Sequence, residues 1–183
     1  MAVIEAIGTM YLEDDVALAT FSSIPATYKH LQLRMSVRST KVSTHGYEQG
    51  RLLFNGDEAT PADNYSWHGI SAGSSSVAAP VAWHSNNQTY DMWLTNTATQ
   101  DYGFIVVDIY DYANTSKNTS FQWHDATNLG IGNNGGDSGQ PRIFFAGGMW
   151  DTTAAVHSVG YGVRNGSHDL VRSSSLSLYG IND

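Results

Sequence analysis

The feature that most restricts what this chain can become is the period of its apolar residues. Short runs in which every second residue is apolar dominate, and no segment of useful length repeats the i, i+3, i+4, i+7 spacing of an amphipathic helix. Leu31, Leu33, Met35 and Val37 alternate with Gln32, Arg34, Ser36 and Arg38, which predicts a strand with one buried face and one wet one. Phe104-Ile105-Val106-Val107-Asp108-Ile109 is denser and rich in β-branched residues, as expected of a central strand covered on both faces. Further strands are expected at Ile143-Phe144-Phe145, from Val156 to Tyr161, and at Leu176-Ser177-Leu178-Tyr179. Turn clusters separate them: Asn55-Gly56-Asp57, Ser71 to Ser76, Asn86-Asn87, Asn133 to Asp137 and Arg164-Asn165-Gly166. The Asn165-Gly166 pair suits the positive φ angles of a tight hairpin turn. This pattern points to one all-β domain, an antiparallel sandwich or barrel. No repeat of propeller or solenoid length is visible.

Composition narrows the chemistry. Charged residues make up only 14% of the 183, against about a quarter in ordinary soluble domains, so Ser, Thr, Asn and Gly supply the solubility. The net charge of −8 is the wrong sign for holding nucleic acid by its phosphates. Cysteine is absent, which excludes disulfide staples, thiolate metal sites and cysteine nucleophiles. The N-terminal Met1-Ala2-Val3-Ile4-Glu5 has no basic region followed by an apolar one, and no stretch reaches the ~18 apolar residues of a membrane helix. The expectation is a soluble product of the cytoplasm with no membrane partner. Lysine occurs only at 29, 41 and 117, so charge protects the sheet edges poorly and closure by oligomer formation is expected.

Candidate reactive groups each have a plain structural account. The seven histidines (His30, His45, His68, His84, His124, His157 and His168) show no metal-ligand spacing. Glutamate occurs only at 5, 13, 48 and 58, and aspartates such as Asp57, Asp63, Asp137 and Asp151 sit in turn-like contexts rather than as a catalytic pair. Gly136-Asp137-Ser138-Gly139 is the nearest approach to a nucleophile motif, and a glycine-rich loop explains it equally well. The oxygen-rich loop 128–140 contains Gly132-Asn133-Asn134-Gly135-Gly136-Asp137, which could offer ligands to Ca²⁺ but lacks the spaced carboxylates of an EF-hand. No enzyme activity and no cofactor are expected. Three Trp-His dipeptides recur, Trp67-His68, Trp83-His84 and Trp123-His124. On strands each would bury its indole and expose its imidazole; the alternative is that Trp67, Trp83 and Trp123 form an exposed platform for stacking sugars.

Several longer stretches are more specific. Phe21-Ser22-Ser23-Ile24-Pro25-Ala26-Thr27-Tyr28-Lys29-His30-Leu31-Gln32-Leu33-Arg34 resembles the opening of small virion structural proteins of tailed bacteriophages, cyanophages among them. Leu53-Phe54-Asn55-Gly56-Asp57 with Asn64-Tyr65-Ser66-Trp67-His68 is similar to a second element of that group. Asp108-Ile109-Tyr110-Asp111-Tyr112-Ala113-Asn114-Thr115-Ser116-Lys117, Trp150 to Val156, and Leu176 to Ile181 match three more, in the same order.

The resemblance implies a jelly-roll β-sandwich over 21–183, preceded by residues 1–20 as a first strand or an anchoring arm. It implies a non-enzymatic virion protein, assembled in the host cytoplasm, acting as a capsid decoration (cement) protein that stabilises the head. Its partners would be further copies of itself, as a homotrimer, and the major capsid protein or other virion proteins. Val3, Ile4, Ile7, Tyr11 and Leu12 would suit an arm that adds a strand to a neighbour. The alternative role is a tail or fibre component binding host-surface glycans through Trp67, Trp83 and Trp123. The absence of a shaft, coiled coil or collagen-like repeat favours the head.

Overall fold

The computed structural model describes residues 3–42, 47–58, 64–73, 76–86, 92–95, 101–127, 142–166 and 168–182. Among these residues the regular structure is twelve strands and one short 3-10 turn: β1 (Val3–Tyr11), β2 (Leu18–Phe21), β3 (His30–Val37), β4 (Tyr47–Phe54), β5 (Tyr65–Gly73), β6 (Ser76–Asn86), β7 (Met92–Thr95), β8 (Gly103–Tyr110), β9 (Thr119–Thr127), β10 (Arg142–Trp150), β11 (Val159–Val163) and β12 (Ser175–Asn182). Eight form one sheet in the order β1-β12-β3-β8-β9-β10-β5-β6, and four form a second in the order β2-β11-β4-β7. Every strand pairing is antiparallel. The expected antiparallel all-β sandwich is what the chain forms, with its strands divided eight and four.

Alternation explains how the two sheets meet. In β3, Leu31, Leu33, Met35 and Val37 are buried while Arg34 and Ser36 are exposed. Ile105, Val107 and Ile109 of β8, Phe121 and Trp123 of β9, and Phe144 and Ala146 of β10 continue this inner face. The small sheet answers with Ala19, Phe21, Leu52, Phe54, Val159, Tyr161 and Val163 in the same core. Phe54 is the aromatic bridge: its ring lies 5.3 Å from Phe121, 5.6 Å from Trp150 and 6.1 Å from Tyr65, all on the large sheet. Its backbone N–H donates to the Tyr65 hydroxyl at 2.9 Å, and burial pushes the Tyr65 phenol far above its ordinary pKa.

Just beyond Phe54 the chain turns through Asn55 (φ +54°) and Gly56 (φ +69°), closed by Asp57 N–H donating to the Phe54 carbonyl at 2.9 Å. Asn tolerates this left-handed conformation and Gly enters it without cost. The Asn55 side chain accepts from the backbone N–H of His157 (2.8 Å) and Ser158 (3.1 Å) and donates to the Ala155 carbonyl (2.9 Å). Asp57 accepts from the Trp150 indole and from the Asn64 amide, each at 2.8 Å. Near the C-terminal end, Gly180 lies under the Tyr28 ring, where a Cβ would come within 2.2 Å.

Four expectations are corrected. Residues 156–158 are not strand, because Asn55 and the Tyr112 carbonyl take their N–H groups; β11 begins at Val159. Arg164–Gly166 is one turn of 3-10 helix rather than a hairpin turn, since β11 and β12 belong to different sheets. Ser71 and Ala72 are not turn residues but the continuation of β5, paired with Phe144 and Ile143. β8 is central and packs against the second sheet on one face only; on its outer face Phe104 is 47% exposed while Val106 is buried. Loop 133–137 lies outside the described residues.

The Asp57 contacts give a direct test. In Asp57→Ala the buried Trp150 N–H loses its acceptor, at a cost of about 1–3 kcal/mol. The melting temperature should fall by about 3–8 °C, and Asp57→Asn, which keeps an acceptor oxygen, should recover most of the loss in a calorimetric scan.

Candidate functional site

The broad outer face of the large sheet is the surface most distinct from an ordinary wet β face. Pairing registers place its side chains in rows across β8, β9, β10 and β5. One row reads Phe104, Ala126, Ile143, Ala72; the next reads Val106, His124, Phe145, Ile70. Phe104, Ile143, Phe145 and Ile70 are 47%, 60%, 51% and 58% exposed, a cluster of large apolar side chains in water. The two rows line a cleft of about 400 Å³ containing Phe104, His124, Ile143, Phe145 and Ile70. Neither row contains a carboxylate, ammonium or guanidinium group.

The face becomes polar two residues along each strand. The third row reads Asp108, Gln122, Gly147, His68. Asp108 accepts from the amides of Gln32 (2.7 Å) and Gln122 (3.3 Å), while Arg34 donates to Gln32 (2.7 Å) and lies over the Tyr179 ring at 4.8 Å. At Gly147 the face has no side chain, and a Cβ there would meet nothing nearer than the Phe121 carbonyl at 3.9 Å. The resulting hollow, about 350 Å³, is walled by His68, Tyr110, Ser120, Gln122 and Met149. Donors, acceptors and an open floor make it a shallow polar recess beside the apolar rows.

Of the candidate sugar-stacking residues, Trp67 and Trp123 do not lie on this face. Trp67 and Trp123 point inward, 2% and 0% exposed, with rings 5.8 Å apart in an edge-to-face contact and Phe144 against both. Their partners in the dipeptides, His68 and His124, are exposed on the outer face. Successive side chains on a strand point to opposite sides, so an indole facing the core forces its neighbour outward. Neither buried indole N–H has a hydrogen-bond acceptor among the described residues. The Trp83 side chain lies outside the described residues, although its backbone pairs with Trp67.

The N-terminal segment is integrated into the sheet. Val3–Tyr11 pairs with β12 and forms the edge of the large sheet, with an irregularity between Ala6 and Gly8. Val3, Ile4 and Tyr11 are exposed, Ile7 is half-buried against the core, and Leu12 is buried. Tyr28 donates its hydroxyl to Glu5 at 3.1 Å and holds the strand to the body. The segment is therefore a first strand in this structure, and its open backbone edge faces away from β12.

Titratable groups pair locally. Lys117 donates to Asp111 and holds that carboxyl below its usual range. His30 accepts from the Asp111 N–H at 3.0 Å, and His168 lies 3.5 Å from Glu48. Among the described residues no three of His, Asp and Glu gather as metal ligands. His45 and loop 128–140 lie outside the described residues, as does the His84 side chain.

The sequence marks β8 as apolar on both faces, and it carries the same signal for β10. Three consecutive apolar residues at 143–145 and four at 104–107 must put apolar side chains on both faces of a strand.

No family model matches the chain, and no curated protein matches it. Solved structures that it matches include the eqolisin-family peptidase SCP-B in complex with a tripeptide (12% identity, TM-score 0.21), the alginate lyase A1-II′ of polysaccharide lyase family 7 (10%, 0.20) and a scytalido-glutamic peptidase (10%, 0.22). The matches cover 92%, 90% and 92% of this chain but 64%, 66% and 65% of those chains, so the chain spans less than two thirds of their lengths. At these scores the likeness carries no inference about fold or chemistry.

The burial of the indoles is testable. Trp67→Ala and Trp123→Ala should each lower the free energy of unfolding by about 3–5 kcal/mol in urea titrations, whereas an exposed stacking residue would leave it almost unchanged.

Proposed function

We propose that this chain is a non-enzymatic structural protein of a bacteriophage virion, a sandwich of jelly-roll type that decorates and cements the head. The observation that supports this reading is the uncovered apolar outer face of the large sheet. In a chain with net charge −8 and few lysines, a cluster of Phe104, Ile143, Phe145 and Ile70 in water is costly unless another protein covers it. A protein built to assemble has that use for such a face, and the phage resemblance names the assembly.

The open edge of β1 supplies a second means of attachment. Its outer backbone groups, without a strand partner among the described residues and flanked by exposed Val3 and Ile4, suit addition of a strand from a capsid subunit. The glycan-binding tail or fibre reading is less well supported, because Trp67 and Trp123 lie in the core and offer no ring to a sugar.

Immunogold labelling of intact virions with an antibody to this chain should place gold over the head. Purified chain added to undecorated heads should rebind and raise their resistance to heat or osmotic shock. Label confined to the tail would overturn the cement role.

A further inference from the structure

We infer that a second copy of this chain covers the apolar outer face, the two large sheets stacking face to face about a two-fold axis. This rests on the reading of that face as an assembly surface and names its occupant.

Self-complementarity is the first reason. A two-fold axis lying between the stacked sheets, across the strands, and passing between the two apolar rows sets one row against the other row of the second copy. Phe104 then meets Val106, Ala126 meets His124, Ile143 meets Phe145, and Ala72 meets Ile70, each across the interface. The small residues of the first row, Ala126 and Ala72, face the larger His124 and Ile70 of the second, so ridges meet grooves. Sheets stacked face to face lie about 10 Å apart and interlock side chains in this way.

Charge is the second. The chain carries −8, so two copies repel, and they repel least where neither presents charge. The two apolar rows are such a region, holding only the imidazole of His124 among titratable groups. The carboxylate of the next row, Asp108, is occupied by the amides of Gln32 and Gln122.

Area is the third. At about half exposure, Phe104, Ile143, Phe145 and Ile70 each leave on the order of 100 Å² of apolar surface in water. Together that is roughly 400 Å² per copy, close to the apolar share of a standard interface of about 800 Å² per partner. Stacking leaves the β1 edge free, so a paired protein still has a strand edge with which to meet a capsid. A two-fold pair also differs from the trimer that the phage resemblance implies.

Sedimentation of the full chain over a concentration series tests the pairing. The expected result is reversible association to twice 19.9 kDa. Phe145→Asp should weaken the dimer at least about thirtyfold while the circular dichroism spectrum stays unchanged. Phe145→Ser, a gentler change, should move the constant in the same direction if the aspartate variant misfolds. Ile4→Asp, on the β1 edge, should leave the dimer intact. A monomer at every concentration, a trimer, or a dimer that survives both Phe145 variants would overturn the proposal. The outcome is separable from the capsid role: a dimer that never binds heads would sink only the latter, and a monomer that decorates heads only the former.

Discussion

The structure depends on the aromatic contact by which Phe54 joins the two sheets. A sandwich without disulfides holds together through what its inner faces bury, and here one phenyl ring of the small sheet meets Phe121, Trp150 and Tyr65 of the large one. The same residue donates its N–H to Tyr65 and leads into the turn whose Asp57 anchors Trp150. Ring packing, a buried hydroxyl and a turn thus converge on a few neighbouring residues.

Once the inner face is committed to aromatic rings, strict alternation dictates the outer one. Trp123 facing inward puts His124 outside, and Phe144 inside puts Phe145 in water. The apolar outer rows are therefore not a defect of the core but a second set of residues, placed where β8 and β10 carry consecutive apolar residues. Strands of this kind are usual where both faces are covered. The four-stranded sheet packs on one face, and the other carries Phe104, Ile143, Phe145 and Ile70 in water.

Much of the fold was legible from the sequence because alternation is local. Leu31 to Val37 declared β3 and its buried face, and Asn55-Gly56 declared its turn. Less legible was anything set by distant partners. The segment 156–158 has strand-like composition, but Asn55, about a hundred residues earlier, captures its N–H groups. Asn165-Gly166 reads as a hairpin until the strands on either side prove to belong to different sheets. The site was less legible than the fold. Trp67 and Trp123 could have faced either way by sequence, since alternation fixes only their relation to the adjacent histidines. The outer rows were present as consecutive apolar residues, but nothing local says that Phe104 of β8 stays in water while Val106 is buried.

The position of β12 has a consequence for biosynthesis. It lies between β1 and β3, pairing Leu176 with Met10 on one side and Met35 on the other, so in the sheet β1 reaches β3 through residues 175–182. During translation β1 has no neighbour and β3 has one open side until that segment emerges from the ribosome. Both edges stay unpaired until residues 175–182 have been made, and β12 closes both in a single insertion. Crowding nascent chains along one messenger would therefore favour exchange of β12 between them, with one chain's strand filling the slot in another.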